Sequence, residues 1–162
     1  MKEISVQTHS RFEMIDITAA VQKAARDEKI ESGICLVYTT HTTAAVTINE
    51  NADPDVPCDI LEALDRAVPL SANYRHAEGN SAAHVKASLV GTSEMIIIEN
   101  GRLVLGTWQS IFFLTSTVSA PSQFVTTWNY RYWILPAKCS APEKIIIDFS
   151  FSSAMMPSCL YA

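Results

Sequence analysis

The chain has 162 residues, of which 48% are hydrophobic and 18% are charged, and its formal net charge is −5 at pH 7. This composition is typical of one globular domain and excludes a disordered chain. The negative balance argues against nucleic acid as the main partner, because phosphate backbones require a basic face. No apolar run approaches the roughly 20 residues that span a bilayer, and the N-terminal residues have no signal-peptide core. We therefore expect a cytoplasmic protein without membrane contact.

Alternating apolar residues predict a series of short β-strands. In chain order the strands are expected near residues 4–8, 12–15, 33–39, 44–49, 95–98, 102–105 and 111–113. His9-Ser10 indicates a turn after which the second strand returns along the first. Asn100-Gly101 is a stronger hairpin signal, because both residues tolerate the positive φ of a two-residue turn.

Three helices are expected between these strands, over residues 16–33, 53–68 and 80–91. Their candidate capping residues are Asp16 or Thr18 for the first, Asp53 for the second, and Asn80 or Ser81 for the third. The second helix has the clearest start, because Asp53 is followed by Pro54, which suits the first helical position. Helices and strands mixed in this order indicate the α+β class.

Three of the four histidines lie in or next to two short polar runs. The first run covers residues 41–55, and the second covers residues 74–80, with His84 and Lys86 just beyond it. A chain with so few charged residues would not need this arrangement merely to fold. We interpret the two runs as a functional site.

The histidines could form a metal centre. Neutral imidazole binds zinc and related metals, so His41, His76 and His84 could hold an ion with an open fourth position. Glu78 could orient a ligand histidine or act as a base, so these three histidines and Glu78 are the candidate catalytic residues. The alternative for each histidine is a hydrogen-bonded structural role.

Carboxylates of the first run suggest magnesium instead, because hard oxygen ligands often accompany phosphate substrates. Asp53 and Asp55 are, however, explained as an N-cap and a first-turn acid, and we favour these structural roles over metal binding. Glu50 and Asn51 are left as weaker candidates for the site. The expected cofactor is therefore a divalent metal, zinc or magnesium.

Other polar and aromatic residues could bind a phosphorylated heterocycle. Arg75 and Lys86 could meet phosphate charge, and hydroxyl groups could hydrogen-bond to an anion. An aromatic ring beside an amide could read the heterocycle, although Trp108 is equally explained as a core residue. The candidate substrate-binding residues are Thr42, Thr43, Asn51, Arg75, Lys86, Trp108 and Gln109.

Several motifs in this order resemble the YjbQ family (UPF0047), which is also called the secondary thiamine-phosphate synthase family. The motifs are residues 41–55, residues 74–80, Ala83-His84-Val85-Lys86-Ala87-Ser88-Leu89, Gly101-Arg102-Leu103 and Gly106-Thr107-Trp108-Gln109. The resemblance covers residues 1–113. It implies a single domain with a curved mixed β-sheet and two to three helices, assembled as a homotrimer.

The resemblance also implies a transferase reaction. The family's named activity joins a pyrimidine diphosphate to a thiazole phosphate, releases pyrophosphate and yields thiamine phosphate. This activity is a weak, secondary one, so the physiological reaction can be different. The alternative is a trimeric protein that binds a metal or a small anion without significant catalysis. The two classes differ in whether histidine substitution abolishes turnover or only metal retention.

The resemblance stops near Leu114, and residues 114–162 form an atypical C-terminal segment. Family members continue with an acidic-Phe-Asp-Gly motif, whereas this chain has Leu114-Thr115-Ser116-Thr117-Val118. If the codons are NNG-ACT-TCG-ACG-GTN, the shifted frame reads GAC-TTC-GAC-GGT, which encodes Asp-Phe-Asp-Gly. We hypothesise that the chain leaves the family's reading frame here. A genuine C-terminal extension is the alternative.

Overall fold

The strands of this protein are divided between two sheets, with three helices packed around them. The computed structural model describes residues 2–116, together with the strands 123–129 and 144–149. The strands are β1 (Lys2–Val6), β2 (Glu13–Asp16), β3 (Ser32–Thr39), β4 (Ala44–Glu50), β5 (Ser93–Glu99), β6 (Arg102–Leu103), β7 (Gln109–Thr115), β8 (Gln123–Asn129) and β9 (Lys144–Phe149). The helices are α1 (Thr18–Asp27), α2 (Asp55–Ala67) and α3 (Ser81–Val90).

The larger sheet has six strands in the order β1-β8-β9-β3-β5-β6, and the smaller has three in the order β2-β7-β4. β8 and β9 are parallel, and the other described pairs are antiparallel, so the larger sheet is mixed. The α+β class expected from the sequence is confirmed. The same patterns did not indicate that the strands separate into two sheets.

The predicted pairing of the first two strands is wrong. β1 pairs with β8 and β9 in the larger sheet, whereas β2 pairs with β7 in the smaller one. The chain still bends near His9-Ser10, where the Glu13 carboxylate accepts hydrogen bonds from both backbone N–H groups, at 2.6 and 3.2 Å. Alternation of apolar residues identifies a strand but carries no information about its partner. The pattern therefore identified both strands but not the strands with which they pair.

The first helix is shorter than predicted. It begins at Thr18, after the N-cap residue Ile17, and ends at Asp27 instead of near Gly33. Lys29 follows with a φ of 56°, a left-handed conformation that does not continue a helix. Asp16 lies one residue before the N-cap, where its carboxylate accepts the Thr18 N–H at 2.8 Å. The Thr18 hydroxyl instead accepts the Ile111 N–H, which joins α1 to β7.

The other two helices lie close to their predicted positions. α2 begins at Asp55 with Pro54 as its N-cap, one residue later than expected. Asp53 nevertheless accepts the Asp55 N–H at 2.9 Å, so this carboxylate has the structural role that we favoured. α3 has Asn80 as its N-cap and Gly91 as its C-cap, as predicted.

The core forms where α1 meets both sheets. Val21 and Ala25 of α1 are fully buried together with Val37 of the larger sheet and with Val46 and Phe113 of the smaller sheet. Burial of these side chains contributes about 1.5–3 kcal/mol for each larger aliphatic or aromatic group. This core holds the two sheets together.

The Asn100-Gly101 hairpin is confirmed. Both residues have positive φ values, 52° and 71°, and the flanking pairs are Ile98 with Leu103 and Glu99 with Arg102. The Gln22 side chain of α1 donates to the Gly101 carbonyl and accepts the Leu103 N–H, both at 3.0 Å. The hairpin is therefore anchored to the first helix.

Within the described part of the chain, no helix has the length and apolar character that a membrane crossing requires. The longest of them, α2, has 13 residues, compared with roughly 20 for a spanning helix.

Candidate functional site

A cavity of about 270 Å³ lies at the N-terminus of α3. Its wall includes Arg11 from the segment between β1 and β2, residues 78–80 from the second polar run, and Ser116 directly after β7. Leu70 and Ala83 complete the wall. Three separate segments therefore converge here, and the second polar run provides the largest share of polar groups.

Two histidines meet a carboxylate beside this cavity. The rings of His76 and His84 are T-shaped, with their centroids 5.5 Å apart. His76 Nε2 lies 3.4 Å from Glu78 Oε2, an ion-pair distance when the ring is protonated. Glu78 itself lines the cavity, so this pair can exchange a proton with a bound ligand. The structure thus brings together three of the four predicted catalytic residues.

Asn80 continues the polar chain into the cavity wall. Its Nδ2 lies 3.5 Å from Glu78 Oε2, and its buried Oδ1 has no hydrogen-bond partner among the described residues. Because an ionised carboxylate only accepts hydrogen bonds, the amide nitrogen is expected on the Glu78 side, which leaves Oδ1 as the free acceptor. The buried Ser81 hydroxyl also lacks a partner within the described part of the chain. Unpartnered buried polar atoms are uncommon in folded proteins.

Arg11 and Ser116 give the cavity a cation and a hydroxyl. The Arg11 side chain is exposed, and no ion pair or hydrogen bond of its guanidinium occurs among the described residues. Ser116 is only 8% exposed and its hydroxyl likewise has no partner there. Both residues line the cavity.

Backbone geometry at Gly79 allows the loop to reach this wall. Gly79 has a φ of +75°, a left-handed conformation that L side chains rarely adopt. The next two residues start α3, so this glycine sets the direction in which Glu78 and Asn80 enter the cavity.

His41 is held by its own segment, before β4. Its Nδ1 lies 2.8 Å from the hydroxyl of Thr43 and accepts the Thr43 N–H at 3.3 Å. Because a backbone N–H can only donate, the neutral ring carries its proton on Nε2. Thr43 is 3% exposed, so this predicted substrate-binding residue is buried beside the histidine.

Lys86 lies in a buried contact away from the cavity wall. Its side chain is 4% exposed, and its Nζ is 2.7 Å from Asp65 Oδ1. The same nitrogen lies 3.9 Å from the centre of the Phe12 ring. This predicted phosphate-binding lysine is therefore engaged in an ion pair between α2 and α3.

The remaining predicted substrate-binding residues do not line the cavity. Asn51 donates from its side chain to Asp16 at 2.7 Å, and the Gln109 side chain accepts the Gly106 N–H at 2.7 Å. Trp108 is 64% exposed, which excludes the core position that we considered for it. Thr42 and Arg75 are also exposed.

The described residues of one chain do not fit the predicted three-histidine metal centre. No group of three or more histidine, cysteine, aspartate or glutamate side chains within these residues is arranged to hold a metal ion. His76 and His84 contact each other edge to face, and Nδ1 of the His41 ring hydrogen-bonds to Thr43. We therefore derive no chemical step through a metal.

The fold is that of a small α+β protein with a partly polar cavity, and comparison with known proteins identifies its family. The sequence profile described as "UPF0047 protein YjbQ-like" matches residues 2–126. The chain belongs to this family.

Individual relatives agree with this result. "UPF0047 protein YugU" of Bacillus subtilis is 52% identical over 114 residues, which are 70% of this chain and 86% of the relative. A UPF0047 protein of Methanocaldococcus jannaschii is 50% identical over 108 residues, which are 67% of this chain and 78% of the relative.

Solved structures show the same fold. An uncharacterised YjbQ/UPF0047 protein from Clostridium acetobutylicum has a TM-score of 0.73 at 48% identity, covering 76% of this chain and 98% of that one. A YbjQ-like protein of unknown function from Sulfolobus solfataricus has a TM-score of 0.72 at 31% identity, covering 75% and 89% of the two chains.

The sequence did not indicate that three polar residues line the cavity: Arg11, Asn80 and Ser116. Asn80 lies in the second polar run, so the run itself was a usable signal, although we interpreted the residue only as a cap. Arg11 and Ser116 lie far from that run in sequence and carry no motif. Only the pairing of β2 with β7, which places both residues at one end of the smaller sheet, indicates their proximity.

Proposed function

We propose that the protein is a cytoplasmic transferase that couples a pyrimidine diphosphate to a thiazole phosphate, as the family's alternative name implies. The observation that carries the proposal is the His76–Glu78 pair, 3.4 Å apart, at the edge of a cavity that also presents an arginine. This combination can bind a phosphorylated ligand and transfer a proton to it.

The proposed reaction breaks one bond and forms one. The bond between the methylene carbon of the pyrimidine substrate and its diphosphate oxygen breaks, and pyrophosphate leaves with the electron pair. The thiazole nitrogen donates its lone pair to that carbon, which yields thiamine phosphate. No oxidant or reductant is required.

The residues beside the cavity have separate roles in this proposal. Protonated His76 would donate a proton to the departing pyrophosphate. Glu78 would stabilise the cationic ring before this proton transfer. His84 packs its ring against His76 and would hold its orientation. General acid catalysis of this kind typically contributes about 100- to 10,000-fold to a rate.

The size of the cavity bears on how two substrates would bind. Ligand pockets usually have volumes of about 300–1,000 Å³, so a cavity of about 270 Å³ suits one small ligand. The mouth is open, because Leu70 is 45% exposed and the Glu78 side chain is 72% exposed. We propose that the second substrate binds across this mouth, where a neighbouring subunit of a homotrimer would complete the site.

The test is formation of thiamine phosphate from the two substrates by purified protein. We expect Glu78→Gln to lower kcat at least tenfold, since it removes the partner that stabilises protonated His76. The control is His9→Gln, because the described hydrogen bond of His9 uses only its backbone N–H. Equal kcat values for Glu78→Gln and the wild type would contradict the assigned role. Absence of turnover in the wild type would contradict the transferase proposal as a whole.

The second candidate function is binding of a small anion without catalysis. The Arg11 guanidinium and the Ser116 hydroxyl, both without a hydrogen-bond partner among the described residues, favour it, because neither observation requires a reaction. A wild-type protein that binds inorganic pyrophosphate but gives no thiamine phosphate would support this candidate over the transferase.

A further inference from the structure

We propose that Asn100 is a site of deamidation, and that the Gln22 side chain controls the rate of this reaction by holding the β5–β6 hairpin closed. The modification converts the Asn100 carboxamide into a carboxylate without an enzyme. It involves no residue that lines the cavity, and it would occur whether or not the protein is a transferase.

The residues of the hairpin turn are chemically suited to this reaction. Asn100 is the one asparagine of the chain that precedes a glycine. Glycine has no side chain to hinder attack by its backbone nitrogen on the neighbouring carboxamide. Asn100 is also exposed, and its carboxamide has no hydrogen bond among the described residues. These conditions favour reaction at Asn100 over the other asparagines.

The reaction proceeds through a cyclic imide. The Gly101 nitrogen loses its proton to hydroxide and attacks Asn100 Cγ, so that an N–C bond forms. The Cγ–Nδ2 bond breaks, and ammonia leaves with a proton from water. A second water molecule then opens the imide at one of its two carbonyl carbons. Opening at Cγ yields aspartate, whereas opening at the backbone carbonyl yields isoaspartate, in which Cβ and Cγ become part of the main chain.

The native hairpin withholds the attacking nitrogen. The Gly101 N–H donates to the Glu31 carbonyl at 2.9 Å, which protects its proton from hydroxide. Attack also requires rotation of the peptide group between Asn100 and Gly101. This rotation would break the hydrogen bond and the left-handed turn, in which the two φ values are 52° and 71°. The reaction therefore depends on local opening of the hairpin.

Gln22 of α1 opposes this opening. Its Nε2 donates to the Gly101 carbonyl and its Oε1 accepts the Leu103 N–H, both at 3.0 Å. β6 has two residues, so the ladder that joins it to β5 is short. Removal of the Gln22 side chain would therefore eliminate two of the hydrogen bonds that keep the turn against the rest of the protein.

Isoaspartate at position 100 would prevent the hairpin from closing again. It adds a carbon to the main chain of a two-residue turn, so the Gly101 N–H could no longer reach the Glu31 carbonyl with β5 and β6 in register. The Glu31 carboxylate is close to the turn, with Oε2 3.7 Å from where a Cβ on Gly101 would stand. A second carboxylate in this place would add repulsion. Modified molecules would therefore retain an open turn.

The experiment follows deamidation of the full chain at mildly alkaline pH by peptide mapping with mass spectrometry. Fragmentation of the peptide that contains residue 100 locates the change and distinguishes aspartate from isoaspartate. The variants are Gln22→Ala and Gln22→Glu, of which the second retains the acceptor for the Leu103 N–H and loses the donor to the Gly101 carbonyl. The control is Thr43→Val, which removes a hydroxyl 2.8 Å from His41 Nδ1, outside the hairpin. Thermal unfolding shows which variants fold.

We expect residue 100 of the wild type to react more slowly in buffer than in urea, by about tenfold or more, because urea abolishes the hairpin. In buffer, Gln22→Ala should react about 5- to 30-fold faster than the wild type, as for loss of two ordinary hydrogen bonds. Gln22→Glu should lie between them. Thr43→Val should react as the wild type does, since it lowers global stability without loosening the hairpin. In urea all four chains should react at one rate.

Four results would overturn the proposal. Absence of reaction at residue 100 in urea would show that Asn100 is not a deamidation site, and equal wild-type rates in buffer and urea would show that the fold gives no protection. Wild-type rates in the folded Gln22 variants would exclude control by Gln22. Equal acceleration in Thr43→Val and Gln22→Ala would show that global unfolding limits the reaction. If Gln22→Ala does not fold, the comparison of Gln22→Glu with the wild type decides.

Discussion

Lys86 of α3 forms an ion pair with Asp65 of α2, with Nζ 2.7 Å from Oδ1. The two side chains differ greatly in exposure, 4% for Lys86 and 61% for Asp65. Burial of the ammonium is compensated by this carboxylate and by the ring of Phe12, 3.9 Å away. The lysine thereby joins two helices and the segment before β2, and its role is structural.

We expect Asp65→Asn to lower the free energy of unfolding by about 1–3 kcal/mol, because a buried ammonium would lose its counter-charge. The exposure of Asp65 keeps the effect below that of a fully buried pair. Urea unfolding measures it, with Asp59→Asn on the same helix as control, since Asp59 is exposed and has no ion pair among the described residues. Equal losses in the two variants would contradict the structural role of the pair.

Thr43→Val should lower the free energy of unfolding by about 1 kcal/mol, because it removes the hydroxyl that lies 2.8 Å from His41 Nδ1. The valine retains the volume and the burial of this site. Thr43→Ser keeps the hydroxyl and is the control for its hydrogen bond. If chemical denaturation finds valine as stable as threonine, the contact does not stabilise the fold.

Gly79→Ala tests the left-handed conformation before α3. A Cβ at Gly79 would meet no atom within 4 Å, so the cost comes from the φ of +75° alone, about 1–2 kcal/mol. The variant should also weaken pyrophosphate binding, because relief of the strain moves Glu78 and Asn80. Calorimetry would show this loss.

Gly106→Ala is the contrasting variant for that test. A Cβ there would lie 3.1 Å from Gln109 Oε1, the end of a flexible and exposed side chain. We expect pyrophosphate to bind to Gly106→Ala as it does to the wild type. Equal effects of the two alanine variants on binding would argue against a specific role for Gly79.

Titration of Glu94 should make the free energy of unfolding depend slightly on pH. Burial raises the pKa of its carboxyl above the ordinary value of 4.5. Because folding disfavours the charged form, this group lowers stability above its folded pKa, and the loss disappears as the pH falls through that value towards 4.5. Glu94→Gln should therefore stabilise the protein at pH 7, by less than about 0.5 kcal/mol.

The measurement is denaturant unfolding of Glu94→Gln and wild type at several pH values from 4 to 7. The difference between them should shrink as the pH falls. A difference that is constant across this range would show that the substitution acts through packing and not through titration.

The change in sequence character after Phe113 stays a prediction about the gene. β7 continues past Phe113 to Thr115. Leu114 and Thr115 are 1% and 0% exposed and pair with Met14 and Glu13. Sequencing the gene tests the hypothesis: codons for Thr115 to Val118 that give Asp-Phe-Asp-Gly in the shifted frame support it. Codons that cannot give Asp-Phe-Asp-Gly in the shifted frame would contradict it.

Local features of the fold could be predicted because neighbouring residues determine them. The positive φ values of Asn100 and Gly101, and the end of α3 at Gly91, follow from residue types at those positions. Strand partners could not be predicted, because several strands could pair with the same sheet edge. The tertiary fold decides between them, and the local sequence pattern of a strand does not.

The candidate site also has a part that the local sequence indicates and a part that depends on the tertiary fold. The second polar run correctly indicated that His76, Glu78 and His84 lie together, because a loop and the following helix turn keep them close. Arg11 lies in a different segment, between β1 of the larger sheet and β2 of the smaller one. Its position depends on how the chain crosses from one sheet to the other. The charge of Lys86 suggested a ligand contact, whereas tertiary packing placed it against Asp65.

The position of β9 determines when the larger sheet can form during synthesis. β9 lies between β8 and β3 and also pairs with β1, and its residues 145–149 cover one edge of β3. β3 and β5 can pair on the ribosome once residue 99 has emerged, but the other edge of β3 stays open until β9 is made. A nascent chain thus exposes an unpaired edge over much of its translation, which makes chaperone binding at that edge more important than for a protein whose sheet grows in sequence order.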